Sequence, residues 1–338
     1  MKIIKMSQHR LQEINGEFLS EPLLLERRDN LFPIIHDDIW NMYTNAKASF
    51  WVPEEIDLQF DTKDFNKLND NERFFIKNIL CFFAVSDSII SDNTSEHFSS
   101  KFKNVHEIKY FYNFQTTIED IHQHVYNLLI DTYIKNSEEK IKLLNVNSYS
   151  YIKAKADWCI KNLNPNEMSL HERILIQNIY EAIFFSGAFC SIFWLKKRGL
   201  MSGLCQANHL ISKDEGLHVN FGALILNKLI HKIPQLRIYA LVDEAVEIEI
   251  EFITKSLPIE LIGINSNLMI QYIKFISDGF LIKLGCKKMY NVENPFDWIE
   301  MISLDSKSNF FEKAVSEYNK ANVGVDPDKN KMSFDEDF

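Results

Sequence analysis

Two copies of a short pattern, Glu-x-x-His, lie far apart in this chain, at Glu119-Asp-Ile-His122 and Glu215-Gly-Leu-His218, each within a stretch of helical periodicity. Two more acids, Asp87 and Glu181, sit singly in strongly apolar runs. Four carboxylates turned into an apolar interior are costly unless something neutralises them. The chain therefore has to bring four helices together so that these groups meet, and two cations between them would remove the cost.

The helical phases agree with this. A capping box at Asn69 and Glu72 opens a helix on which Ile76, Leu80, Phe83, Asp87 and Ile90 recur on one face. Asn104 and Glu107 give the next start signal, for a helix to about Lys135 with Phe111, Ile118, His122, Val125 and Leu129 inward. Ser169 and Glu172 form a third box. That helix turns Ile174, Glu181, Phe185, Ala188 and Ile192 inward and stops at Lys196-Lys197-Arg198-Gly199, where basic residues meet the negative end and glycine ends the helix. A fourth helix, from about Leu204 to Ile230, aligns Ile211, Glu215, His218, Gly222 and Ile225. Apolar-periodic segments near 236–256 and 264–284 pack on the bundle. SFWVPEEIDLQFD reads as an extended connection leading into it.

Spacing of i and i+3 places Glu119 beside His122, and Glu215 beside His218, on one helix face within reach of one ion. Carboxylates are hard oxygen donors that can bridge two ions, and each imidazole adds a nitrogen. A Glu from each of two helices plus Glu-x-x-His from each of two others is the ligand set of carboxylate-bridged di-iron bundles. Here the shorter Asp87 replaces one lone Glu. A single Glu-x-x-His arises often on solvated faces, but six such groups at these phases do not. The expected fold class is all-α: a ferritin-like di-iron helix bundle with additional packing helices.

Composition removes other classes. The net charge is −10 and lysines are scattered, so the basic stripe of a nucleic-acid binder is missing. No glycine loop has a phosphate-binding spacing. The five cysteines form no CxxC pair and lie mostly in apolar helical runs, as buried free thiols of a reducing, cytoplasmic compartment do. The longest near-apolar run, Ala182 to Leu195, is too short to cross a bilayer, and no apolar signal core follows the first residues. From about Ala321 the chain is polar and acidic, ending in SFDEDF, and is expected to be mobile.

Tyr126 lies one turn after His122 on the same face. Buried tyrosines commonly only pack. Beside a di-iron site, a phenol can instead be oxidised to a radical. Phe185 and Phe189, one and two turns after Glu181, and Ile211, one turn before Glu215, would keep water from it.

The stretches EPLLLERRDNLFPI, ASFWVPEEIDL, FFAVSDSI, FYNFQ, IEDIH, LLIDTYI, KADW, IFFSGAFCSIFWLKKRGLM, LISKDEGLH, NPFDWIE and the tail resemble the small, radical-generating subunit of class I ribonucleotide reductase, in its eukaryotic form, from about Glu21 to Phe338. The resemblance implies two iron ions held by Asp87, Glu119 and His122 and by Glu181, Glu215 and His218, with dioxygen needed for activation; the ligand chemistry also admits manganese. It implies a radical at Tyr126, an electron route through Trp51 and Asp214 to His122, and a relay at Tyr318. It implies segments 1–20 and 321–338 flanking one domain, 21–320, with the tail docking through Phe334 and Phe338 on a large catalytic subunit that reduces ribonucleotides. A homodimer is expected, a mixed dimer with a second small subunit being the alternative. Lys213, His209 and Ser202 depart from the family's usual residues; none is a ligand. An independent di-iron oxidase or desaturase would share the ligands without such a tail, and a non-radical scaffold subunit would have lost some of them.

Overall fold

The structure, a computed structural model, describes residues 21–93, 98–143, 150–165, 167–256 and 258–296. The side chains at 85, 87–93, 100, 150–151, 256 and 261 lie outside that description. The chain divides into two compact units, Met1–Pro295 and Phe296–Phe338, and the elements below belong to the first. The expected end segments 1–20 and 321–338, with Tyr318, Phe334 and Phe338, lie outside the described residues.

Among the described residues the fold is helical, with no strand. The longer helices are α1 (Asp37–Ala48), α2 (Asp61–Lys67), α3 (Asp70–Asn93), α4 (His106–Tyr133), α5 (Ser150–Leu163), α6 (Leu170–Ile179), α7 (Ser186–Lys197), α8 (Ser202–Lys228), α9 (Gln235–Glu251) and α10 (Ser266–Lys283). Helix α3 packs along α4, and α8 packs on α6, α7 and α4. These four helical stretches form the expected bundle, with α9 and α10 against it and α1 lying over α4 and α8. Their predicted inward faces are buried: Ile76, Leu80 and Phe83 on α3, Phe111, Ile118, Val125 and Leu129 on α4, Ile174, Phe185, Ala188 and Ile192 on α6 and α7. One stretch, Leu170–Lys197, is long and apolar enough to cross a membrane, but it is core, with most of its apolar window buried in the protein.

Two of the three capping boxes form. The Asn69 and Glu72 side chains each accept the other's backbone N–H at 2.9 Å, and Ser169 and Glu172 do likewise at 3.2 and 3.3 Å. The third does not. Helix α4 starts after Val105 with no side-chain cap. Glu107 is instead buried against Arg28 and accepts the Ile35 N–H at 3.0 Å. Burial alone would raise its pKa, but the guanidinium and the backbone donors hold it down at about 2. A charged partner outcompetes a local cap, and the contact fastens the segment before α1 to the bundle.

Helix α8 is capped from a distance. Asp61 on α2 accepts the Gly203 and Leu204 N–H groups at 2.8 and 2.7 Å and the Tyr133 hydroxyl at 2.6 Å. The first amides of the helix that carries Glu215 and His218 are thereby satisfied by a residue about 140 positions earlier, matching the need of any helix start.

The sequence reads 170–197 as one uninterrupted helix. In the structure Tyr180–Phe184 is a π-helical turn between α6 and α7, and it carries Glu181. An extra residue per turn re-aims a side chain and leaves backbone groups to be satisfied elsewhere. A buried ion pair does this. Lys155 donates to the Phe184 carbonyl at 2.7 Å and pairs with Glu249, whose Oε1 accepts the Gly187 N–H at 3.1 Å. The ammonium also sits over the rings of Phe82 and Phe252, 4.0 and 3.6 Å from their centroids. Burial pushes the lysine down to about 8. A Cβ at Gly187 would lie 2.6 Å from the Glu249 carboxylate, so glycine lets that carboxylate reach the backbone here.

Asp61→Ala removes the cap and strands the Tyr133 hydroxyl, and should cost about 3 kcal/mol in chemical denaturation. Lys155→Met leaves Glu249 buried and unpaired and should cost about 3–5 kcal/mol, most of it recovered in Lys155→Met/Glu249→Leu.

Candidate metal centre

Glu119 on α4, Glu181 on the π turn, and Glu215 and His218 on α8 offer ligand atoms that all lie within 4.8 Å of one another, and all four residues are buried. His122 joins them. Its Nδ1 is 3.4 Å from Glu119 Oε2 and 3.1 Å from Glu215 Oε1. The Nδ1 of His218 is 3.1 Å from Glu119 Oε1 and 3.3 Å from Glu215 Oε2. Each of these two glutamates thus spans both imidazoles, one oxygen to each. That is the placement of carboxylates able to bridge two ions, with the imidazoles at either end. Five of the six expected ligands converge; Asp87 is on helix α3, but its side chain lies outside the description.

The donor set fits a metal pair on a second count. His122 Nδ1, Glu181 Oε2 and Glu215 Oε1 are buried and make no aligned hydrogen bond, although His122 and Glu215 approach closely. Buried polar atoms are normally paired. Lone pairs that converge without bonding one another are arranged for a cation.

Protonation follows. Burial alone would lower both histidines, but His122 is raised well above the usual range by Asp214, Glu119 and Glu215, and His218 by Glu119 and Glu215. Burial would raise Glu119, yet the two histidines hold it at about 2. Glu181 is pushed well up by burial and by the charge of Glu215. Of these groups the imidazoles take the positive charge, and Glu181 is the acid favoured to hold a proton.

Trp51, Asp214 and His122, expected from the resemblance to lie on an electron route, are in contact. Trp51, buried in the connection after α1, donates its indole N–H to Asp214 Oδ2 at 2.7 Å. The same oxygen is 3.2 Å from His122 Nε2. A carboxylate behind a ligating imidazole fixes its tautomer and leaves the other nitrogen, here Nδ1, for the metal. The indole and imidazole planes lie 22° apart, with centroids separated by 6.1 Å.

Tyr126 is 2 % exposed. Phe83 stacks on it, centroids 4.7 Å apart and planes 4° apart. Phe189 and Phe185 lie 5.1 and 5.4 Å from Phe83. The two expected phenylalanines thus pack on Phe83, the ring that stacks on the phenol and that sequence reasoning placed only in an apolar stripe. Its position one turn before Asp87 was the available signal. Ile211 is buried on α8. Lys213 and His209 are half-buried, and burial lowers the lysine. Gln115 and Gln177, which both donate to Glu181, were not foreseen.

Comparison with known proteins agrees with this geometry. The family described as "Ribonucleotide reductase, small chain" matches residues 28–295. The ribonucleoside-diphosphate reductase small subunit of Dictyostelium discoideum is 49 % identical over 97 % of this chain and 100 % of its own length. Subunit M2 of the human ribonucleoside-diphosphate reductase is 47 % identical over 94 % of this chain and 82 % of its own. A solved structure of the Rnr4 homodimer of the Saccharomyces cerevisiae ribonucleotide reductase superposes with a TM-score of 0.78 at 35 % identity, covering 92 % of this chain and 96 % of that one. The chain belongs to the ribonucleotide reductase small-chain family.

Proposed function

We propose that this chain is the radical-bearing small subunit of a ribonucleoside-diphosphate reductase, in which Tyr126 supplies the oxidising equivalent that a large subunit uses to reduce ribonucleotides to deoxyribonucleotides. The observation that carries this reading is the convergence of the buried Glu119, His122, Glu181, Glu215 and His218, one helical turn from a buried phenol. A pair of iron ions bound there, with dioxygen, supplies one-electron oxidising power that no side chain has.

The chain's own residues do the rest. Glu119, His122, Glu181, Glu215 and His218, with Asp87, would hold the ions, the two glutamates that face both imidazoles lying between them. Tyr126 gives up one electron and its phenolic proton. Phe83, Phe185 and Phe189 keep water and reductants from the resulting radical. Asp214 joins Trp51 to His122 by hydrogen bonds, so an electron can enter or leave through the indole without crossing open space. Tyr318 relays the radical onward, and the SFDEDF end, with Phe334 and Phe338 as aromatic anchors and acidic neighbours, docks in a groove of the large subunit. The functional unit is a homodimer in the cytoplasm. Cys81, Cys159, Cys190 and Cys205, buried free thiols, suit a reducing compartment.

Tyr126→Phe should bind two ions per chain and give no radical signal in electron paramagnetic resonance. Ribonucleotide reduction with the large subunit should then fall to background; retained activity would sink the assignment. Metal loading must also expel protons from His122, His218 and Glu181, whose pKa values are all raised. Affinity should therefore rise with pH, and calorimetry in buffers of different ionisation enthalpy should register proton release on binding.

A further inference from the structure

Glu181 differs from its neighbours in how its two oxygens are used. Oε1 accepts from Gln115 Nε2 at 3.0 Å and from Gln177 Nε2 at 3.1 Å, whereas Oε2 is buried and accepts nothing. The donors come from different helices, Gln115 from α4 one turn before Glu119, and Gln177 from α6 one turn before Glu181. Both glutamines are buried. Once Glu181 is ionised, as ion binding requires, its carboxylate only accepts, and each amide must turn its NH2 group to it. The Gln115 amide also reaches Glu119 Oε1, at 3.4 Å.

A carboxylate can bind one ion through one oxygen, chelate it through both, or bridge two ions. Sited on the π turn, the Glu181 side chain could adopt any of these. We propose that Gln115 and Gln177 are positioning residues that form a two-amide clamp, engaging Oε1 of Glu181 and reserving Oε2 as a single-oxygen ligand to one ion of the pair. The inference rests on the metal-centre reading above and deepens it. Rotation of the carboxylate to chelate or bridge would break two charge-assisted hydrogen bonds, which are stronger than neutral ones. The clamp thereby sets how the ion on the Glu181 side is held, with Gln115 also reaching a second ligand, Glu119, at 3.4 Å.

The test uses manganese(II) as the probe, titrated into the full chain under anaerobic conditions and read by electron paramagnetic resonance. The wild type should bind two ions per chain and give the spectrum of an exchange-coupled pair. Gln177→Met keeps the volume and removes the donor. It should weaken one of the two ions about tenfold, in line with losses of outer hydrogen bonds at metal sites, and at intermediate loading it should show the hyperfine pattern of an isolated ion. Gln115→Met tests the other arm in the same way, and serves should the first variant fail to fold. If both variants take up two ions with wild-type affinity and a coupled spectrum, the clamp is refuted. Equal weakening of both ions, with a lower melting temperature of the metal-free chain, would make the glutamines merely structural and also refute it. A wild type that binds no pair would instead overturn the underlying metal reading.

Discussion

Placing ionisable groups where water cannot reach them dominates this architecture. Three glutamates and two histidines meet inside a bundle whose inward positions are mostly aliphatic or aromatic. Such a cluster holds together only if every charge faces an opposite one, so the helices that bring the groups there must be fixed in register and rotation. The long-range polar contacts serve that end. Asp61 sets the start of α8, Arg28 and Glu107 fasten the leading segment to α4, and Lys155 with Glu249 braces the π turn. Each ties an element bearing a ligand to one that bears none.

Much of this was legible because it is periodic. Acids and imidazoles at i and i+3 spacing, in phase with apolar residues, told which faces meet, and Glu119, His122, Glu215 and His218 followed from that alone. The pairing of the carboxylates with both imidazoles needed coordinates, since spacing within a helix is silent about what an opposite helix presents. The helix at Asp37–Ala48 was hidden by its largely polar composition, and α5 was not singled out either. Asn104 resembled a cap because the local pattern fits one; the competing Arg28 lies 79 residues from Glu107. Lys155 and Glu249 gave no sign of burial, because a lone charged residue in a helix usually marks a solvated face.

The π turn is a local departure from regular geometry at the point where function requires it. An uninterrupted helix would keep Glu181 in phase with Ile174 and Phe185; widening one turn changes that phase without moving either flanking helix off the core. Gly187 lets the Glu249 carboxylate approach the backbone just beyond the turn, and the lysine closes the exposed carbonyl. The irregularity is therefore specified by residues from three other places in the chain, which explains why no local signal announces it.

A single oxygen, Oδ2 of Asp214, serves both the indole of Trp51 and the ring of His122. Two donors leaning on one acceptor draw on the same electron density, so strengthening one partner weakens the other. The hold on the His122 ring and the hold on the Trp51 indole are consequently coupled through that one oxygen. Selection acting on either property here could not adjust it in isolation.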